Sequence, residues 1–355
     1  MILHSANRND SVQRLLGSDG SRRLALMKSS VVLKSTLSIL GATTLAFALS
    51  KPLADTNEIP GISGMAPVDS SSYLIVQDTK AGKKGHRVGI LEILGKGTNV
   101  YTPLKVKSLD KGDNRASDLE GLHAIPGRAG EYVAVESGRR EKGPGRLFHL
   151  KLNVEQNAIA VLGSWPLATR VAKPMEWKLG KGDNYEGVAC WPLDEQRVQI
   201  VLGERGGSKS HPRGALISGV LDIAKGTLDW LAAEHDLTPV APGKWIDPAG
   251  QRDIADLWYD ARDESIWCAA SEDPGDVGPF RSVLWRVAMV GAVNPKTALR
   301  ELQVVEKPTA LYIVDGHKIE AISASSALVP AGFISFGAED EDYGGTWRAL
   351  YPPVK

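Results

Sequence analysis

Between residues 61 and 351 the chain is written as short apolar runs separated by polar turns, and the runs recur with a long period. GISGM (61–65), DLEGL (118–122), NYEGV (184–188), DIADL (253–257) and KIEAI (318–322) share a polar-apolar-polar-small-apolar outline. KGDN stands shortly before two of them, at 111–114 and 181–184. Each opens a first run, and a turn then leads to a second: YLIVQD (73–78), EYVAVE (131–136), RVQIVLGE (197–204), SIWCAASE (265–272) and GFISFGAE (332–339). Every second run ends on a carboxylate: Asp78, Glu136, Glu204, Glu272 and Glu339. Nine or ten residues later comes an arginine that starts a third run: Arg87, Arg146, Arg213, Arg281 and Arg348. Fourth runs, such as AIAVLGSW, follow in the first four copies.

Apolar runs of this length bounded by Gly, Pro, Asn and Asp read as strands, and four per copy make a small antiparallel sheet. A sheet with two apolar faces is not stable alone, and stacking the copies around an axis buries both. The pattern therefore predicts an all-β, five-bladed β-propeller of four-stranded antiparallel blades. The fifth copy stops after its third run, so its outer strand is either missing or supplied by residues near 53–60.

The N-terminus breaks this pattern. SRRLALMKSSVVLK (21–34) is basic, STLSILGATTLAFALS (35–50) is apolar and small, and KPLADTNEIP turns polar. That order is an export signal, with cuts expected after Ser50 or Ala54. Residues 1–54 are read as signal and linker and 55–355 as the propeller, with a periplasmic or secreted destination. Arg22-Arg23 resembles a twin-arginine signal, whereas a start at Met27 gives an ordinary secretory one. Membrane contact is expected only through an uncleaved signal.

The 355 residues carry equal numbers of acids and bases, which gives no electrostatic case for nucleic acid as a partner. The two cysteines, Cys190 and Cys268, have no metal-binding spacing. A disulfide and two buried thiols both stand as readings. GxSxG, HExxH and Walker signatures are absent from the sequence. Function must then come from the faces and channel of the propeller.

In an up-and-down blade the start of the innermost strand lies at the same face as the end of the second. The first motif, the strand-end carboxylate, the loop after it and the arginine should therefore collect on one face. Loops 79–87, 137–146 and 205–213 are basic, with Glu141 as their one acid, while 273–281 and 340–348 hold five acids against two arginines. The face should be polarised. Lys83, Lys84, Arg139, Arg140, Arg205, Lys209 and His211 are candidates to hold an anion. Asp118, Glu120, Glu186, Asp253, Asp256, Glu272, Asp273, Glu320, Glu339 and Asp340 offer hard oxygen ligands suited to Ca²⁺. The even spacing also favours a plainer role, in which each strand-end carboxylate pairs with the arginine of its own hairpin.

SDLEGLHAIP…EYVAVES, NYEGVACWPL…VLGERGG and KIEAIS…GFISFGAEDE resemble the phytase-like propellers, the family called "esterase-like activity of phytase". The resemblance spans about Gly61 to Tyr351. It implies Ca²⁺ clustered by carboxylates and basic side chains that hold phosphate. Glu120, Glu186 and Glu320 would form the inner ring, with Glu136, Glu204, Glu272 and Glu339 at the strand ends. Ala255 and Ser63 stand where the ring would need two more glutamates. The expectation is an exported propeller that binds a small anionic, phosphoester-type ligand, with a Ca-dependent hydrolase as its enzymatic form. The alternative is a non-enzymatic propeller that docks a protein or cell-envelope component.

Overall fold

The computed structural model describes residues 58–80, 85–95, 98–106, 109, 115–138, 145–170, 183–208, 211–246, 250–275, 277–329, 332–340 and 344–352. All belong to the compact unit Asp55–Lys355. No helix among them is long and apolar enough to cross a membrane.

The fold is an all-β five-bladed propeller. Blade one is β1 (Gly64–Pro67), β2 (Ser72–Val76), β3 (Val88–Ile93) and β4 (Asn99–Leu104). Blade two is β5 (Leu119–Ala124), β6 (Glu131–Glu136), β7 (Arg146–Asn153) and β8 (Ala158–Pro166). Blade three is β9 (Tyr185–Pro192), β10 (Arg197–Glu204), β11 (Ala215–Asp222) and β12 (Thr227–Trp230). Blade four is β13 (Asp256–Asp260), β14 (Ser265–Ser271), β15 (Arg281–Val293) and β16 (Arg300–Val304), with β17 (Tyr312–Asp315) added. Blade five is β18 (Ile319–Ala324), β19 (Ile334–Glu339) and β20 (Gly345–Leu350). Each blade is antiparallel in sequence order. β15 is long enough to pair β17 along its first half and β16 along its second.

The strands follow the sequence period because side chains alternate between the two faces of a sheet. Val198, Ile200 and Leu202 of β10 pack toward blade two, while Val201 packs toward blade four. In β14, Ile266, Cys268 and Ala270 face blade three, and Trp267 and Ala269 face blade five. Five apolar clusters result, one between each pair of neighbouring blades, including blades five and one. The inner strands close a ring: β1 packs on β5, β5 on β9, β9 on β13, β13 on β18 and β18 on β1. This alternation also settles the cysteines. Cys190 lies in the seam between blades two and three and Cys268 in the next seam, and both are free, buried thiols.

The chain passes between blades by a repeated clip. The N–H groups of Asp118, Tyr185 and Asp253, leading into three inner strands, bond the carbonyls of Thr79, Ser137 and Arg205, just past the second strand of the preceding blade. Blade five has three strands among the described residues. Of the segment expected to complete it, residues 53–57 lie outside the described ones. The Ile59 carbonyl accepts the N–H of Gly345 at 2.8 Å, and Ile62 N–H bonds the Ala338 carbonyl at 3.3 Å. Residues 59–62 therefore tie the start of blade one to β19 and β20.

Candidate functional site

The clips bring the inner-strand motifs and the strand-end carboxylates together at one axial mouth. Asp78 stands two residues past β2, and Asp118 and Glu120 stand where β5 begins. Asp118 adopts φ 60°, a left-handed conformation that Asp tolerates better than most residues. One oxygen each from Asp78, Asp118 and Glu120 lie within 4.8 Å of one another. Lys80 Nζ donates to Asp78 Oδ2 at 2.5 Å and to Asp118 Oδ1, and Ser137 Oγ donates to Asp118 Oδ2 at 2.5 Å.

Glu120 is 7 % exposed and accepts no hydrogen bond from any described residue. Burial pushes its carboxyl well above the usual range, and the charges of Glu186 and Asp118 push the same way. Glu186, from the equivalent position of β9, is better supplied. Asn184 Nδ2 donates to its Oε1 at 2.5 Å, and Arg205 Nη1 lies 3.1 Å from the same oxygen. Burial still raises Glu186, against the pull of Arg205. Burial also works against the Arg205 charge, but Glu186, Asp273, Glu120 and Glu320 outweigh it and hold the guanidinium charged.

The fifth blade contributes a second acid pair. Lys318 Nζ lies 2.9 Å from Glu320 Oε1 and 3.7 Å from Glu339 Oε2. Glu339 is pushed up to about 10, first by burial and then by the charge of Glu320, to which it is hydrogen-bonded. Out of water and beside the charge of Glu320, Glu339 keeps its proton at neutral pH. The mouth thus sets Asp78, Asp118, Glu120, Glu186, Glu320 and Glu339 against Lys80, Arg205 and Lys318.

Other expected residues have local tasks. Asp273 bonds Arg252 at 3.2 Å and lies in the field of Lys318 and Arg205, at the edge of the cluster. Asp253 accepts from Gly214 N–H and Gln251 Nε2, both at 2.9 Å, and fixes the approach to β13. Asp340 accepts from the Lys318 N–H at 3.0 Å and meets His317 Nδ1 at 2.8 Å. Asp256 is fully buried between β13 and β18. Glu272 is buried and continues the ladder through its N–H to the Arg281 carbonyl. His211 Nε2 lies 2.9 Å from Asp183 Oδ1, and this carboxylate raises the imidazole pKa against the effect of burial. Lys83, Lys84, Arg139, Arg140 and Lys209 lie outside the described residues, as do Asp276, Glu341 and Asp342.

Pairing within a hairpin holds at Glu136 and Arg146, joined by two bonds of 2.7 and 2.8 Å. Arg213 reaches toward Asp253 at 3.5 Å, and Arg281 bonds Asp315 at 2.6 Å. Asp78 and Glu339 turn to the axis, and Glu204 caps the N–H of Gly206 at 2.8 Å. Sequence spacing did not single out Lys80, Lys318 or Asn184. Their signal is position: Lys80 lies two residues after a strand-end carboxylate, and Asn184 and Lys318 lie two before an inner-strand glutamate.

No family model matches the chain, and no curated protein matches its sequence. Solved structures resemble it at low identity. A thermostable family-43 glycoside hydrolase is 10 % identical over 82 % of this chain and 90 % of that one, with a TM-score of 0.48. An exo-1,5-α-L-arabinanase from a bovine ruminal metagenomic library is 13 % identical over 84 % and 96 %, with a TM-score of 0.42. The periplasmic gluconolactonase PpgL of Pseudomonas aeruginosa is 12 % identical over 82 % and 85 %, with a TM-score of 0.37. These are distant likenesses of overall fold, and the assignment of this chain to five-bladed propellers rests on its own sheet order.

Proposed function

We propose that the chain is an exported, phytase-like propeller that takes a small anionic, phosphoester-type ligand at the axial mouth, through a divalent cation held by Asp78, Asp118 and Glu120. The reading is carried by the three carboxylate oxygens within 4.8 Å of one another, one of them from a buried glutamate without a donor among the described residues. Burying an uncompensated carboxylate is costly, and a hard cation offsets that cost. Ca²⁺ takes oxygen ligands at about 2.3–2.6 Å, so oxygens on opposite sides of it stand about 4.6–5.2 Å apart. The cluster fits within that span.

Three carboxylates leave coordination positions for water and for a ligand oxygen. Arg205 and Lys318, on the same face, supply positive charge toward the rest of an anion. The cation, when bound, supplies Lewis acidity at a phosphoryl oxygen. Export and membership of the phytase-like group rest on the N-terminal pattern and on the quoted motifs. The test is thermal melting of the purified full chain with Ca²⁺, phosphate and inositol phosphates, together with metal analysis and a phosphatase and esterase panel. A rise in Tm with Ca²⁺ that grows with phosphate supports the reading. Stabilisation without turnover assigns the mouth to binding alone, as in the docking alternative. No bound metal and no shift in Tm would sink it.

A further inference from the structure

The cluster of Asp78, Asp118 and Glu120 already contains a cation, and it comes from the same loop. Lys80 places its ammonium against Asp78 Oδ2 and Asp118 Oδ1, two oxygens that a metal ion would need. Its side chain is one-quarter exposed, so it lies under the surface of the mouth but at its edge. Burial opposes the charge on Lys80, yet Glu120, Asp118 and Asp78 overcome this and raise its pKa. Glu120 favours the ammonium most strongly by charge and still receives no hydrogen bond from it. A single positive charge therefore serves three carboxylates and leaves the buried glutamate without a hydrogen bond from it.

We infer that Lys80 is a tethered competitor for a divalent cation: the cluster exchanges the lysine ammonium for Ca²⁺ at the same aspartate oxygens and releases Lys80 toward the mouth. This deepens the proposed function and rests on its reading of the cluster as a cation site. A lysine ammonium is a compact point charge on a flexible four-carbon stem, so it can leave without moving the strands. Ca²⁺ brings twice the charge and can reach all three carboxylates at once. The ammonium and the metal cannot share Asp78 Oδ2 and Asp118 Oδ1, so occupancy is exclusive. The released ammonium then faces the position where an anionic ligand would sit, which couples cation binding to anion binding.

Two measurements on the full chain decide it. Removing the competitor by Lys80→Met, which keeps an apolar stem, should tighten Ca²⁺ binding by calorimetry by about tenfold or more, given the strength of charge interactions at this range. Adding Glu120→Gln to that variant should reverse the gain, and Ca²⁺ binding that survives it lies elsewhere and counts against the inference. In the unmodified chain, Ca²⁺ should raise the rate at which an amine-acylating reagent labels Lys80, read by mass spectrometry. This second measurement stands alone if Lys80→Met does not fold. Equal or weaker Ca²⁺ binding in Lys80→Met, or Lys80 labelling unchanged by saturating Ca²⁺, would make the lysine a fixed structural counter-ion. Ca²⁺ binding by Lys80→Met but not by the unmodified chain defeats both the exchange and the proposed function, as does binding by neither. Binding by the unmodified chain that Lys80→Met does not improve defeats this inference alone and keeps the proposed function.

Discussion

Asp256 Oδ2 accepts the main-chain N–H of Ile322 at 2.7 Å, across the seam between the fourth and fifth inner strands. Three other blades carry glycine at the corresponding position: Gly64, Gly121 and Gly187. Asp256 is completely buried, and its Oδ1 has no partner among the described residues. Burial holds the carboxyl well above its usual range, against the pull of the Ile322 and Leu257 N–H groups. Burial therefore disfavours the charged form of this side chain. Asp256→Asn should keep the bond to Ile322 and cost less than about 1 kcal/mol. Asp256→Ala leaves the Ile322 N–H unpaired in the seam and should cost about 1–3 kcal/mol. Urea denaturation of the two variants checks this, and equal losses would mean that the charged form of Asp256 is needed.

Stability should bend with pH in opposite directions at two buried groups. Glu204 is raised to about 7, mainly by burial, with His211 and the Gly206 N–H opposing. Between the unfolded value near 4.3 and about 7, the folded state keeps a proton that the unfolded chain has lost, so this contribution falls as pH rises. His123 is lowered to about 4 by burial; its Nδ1 bonds the Ala124 carbonyl at 2.7 Å and its Nε2 accepts the Tyr259 N–H at 3.2 Å. Between about 6.5 and 4 the unfolded chain binds the extra proton, so stability falls as pH falls. Each slope is at most about 1.4 kcal/mol per pH unit, and the two partly cancel near pH 5–6. Glu204→Gln removes the first slope, so the variant should lose less stability than the unmodified chain as pH rises from about 4.5 to 7. Denaturation curves at half-unit intervals test this, and a variant with the same profile as the unmodified chain would exclude Glu204.

The five copies were legible because the fold is a repeat, and each copy repeats the alternation that feeds two seams. The inner-strand glutamates were legible too, since their position in the motif fixes their place on the axis. Asp78 shared its strand-end place with four other carboxylates, and nothing local marks it as the one that meets Asp118 across the first seam. Lys80 looked like one lysine among several in TKAGKKGHR, and its role depends on a clip between two blades. β17 escaped notice because YIVD is too short to stand out, and its partner is the first half of β15, beyond the usual length of a blade strand. Asp253 and Asp340 carry the right chemistry for a metal, but backbone N–H groups take their oxygens. Composition cannot distinguish those uses.

Close packing of the inner strands makes the small position of the motif sensitive to a single methyl group. A Cβ on Gly187 would stand 2.6 Å from the Leu257 N and 2.8 Å from the Asp256 carbonyl carbon, atoms of the next inner strand. On Gly121 it would stand 3.0 Å from the Glu186 carbonyl oxygen and the Val188 N. Backbone atoms cannot swing aside as a side chain does. Gly187→Ala should therefore cost more than Gly121→Ala, with the former at about 1–3 kcal/mol. Thermal melts rank the two, and the reverse order would mean that β13 can yield where β9 cannot.

The hairpin pair of blade two should be the most damaging ion pair to break from one side. Glu136 is 2 % exposed; Arg146 holds both its oxygens, and the Ser117 N–H donates to Oε1 at 2.9 Å. The guanidinium also lies 4.8 Å from the centre of the Phe148 ring. Arg146→Met keeps much of the packing and strips the carboxylate of its charge partner, which should cost about 3–5 kcal/mol. Pairing that change with Glu136→Gln removes the stranded charge and should recover more than half of the loss. A double-mutant cycle by chemical denaturation reads this directly. If the double variant is no more stable than Arg146→Met, the cost lies in lost packing against Phe148 rather than in a buried, uncompensated charge.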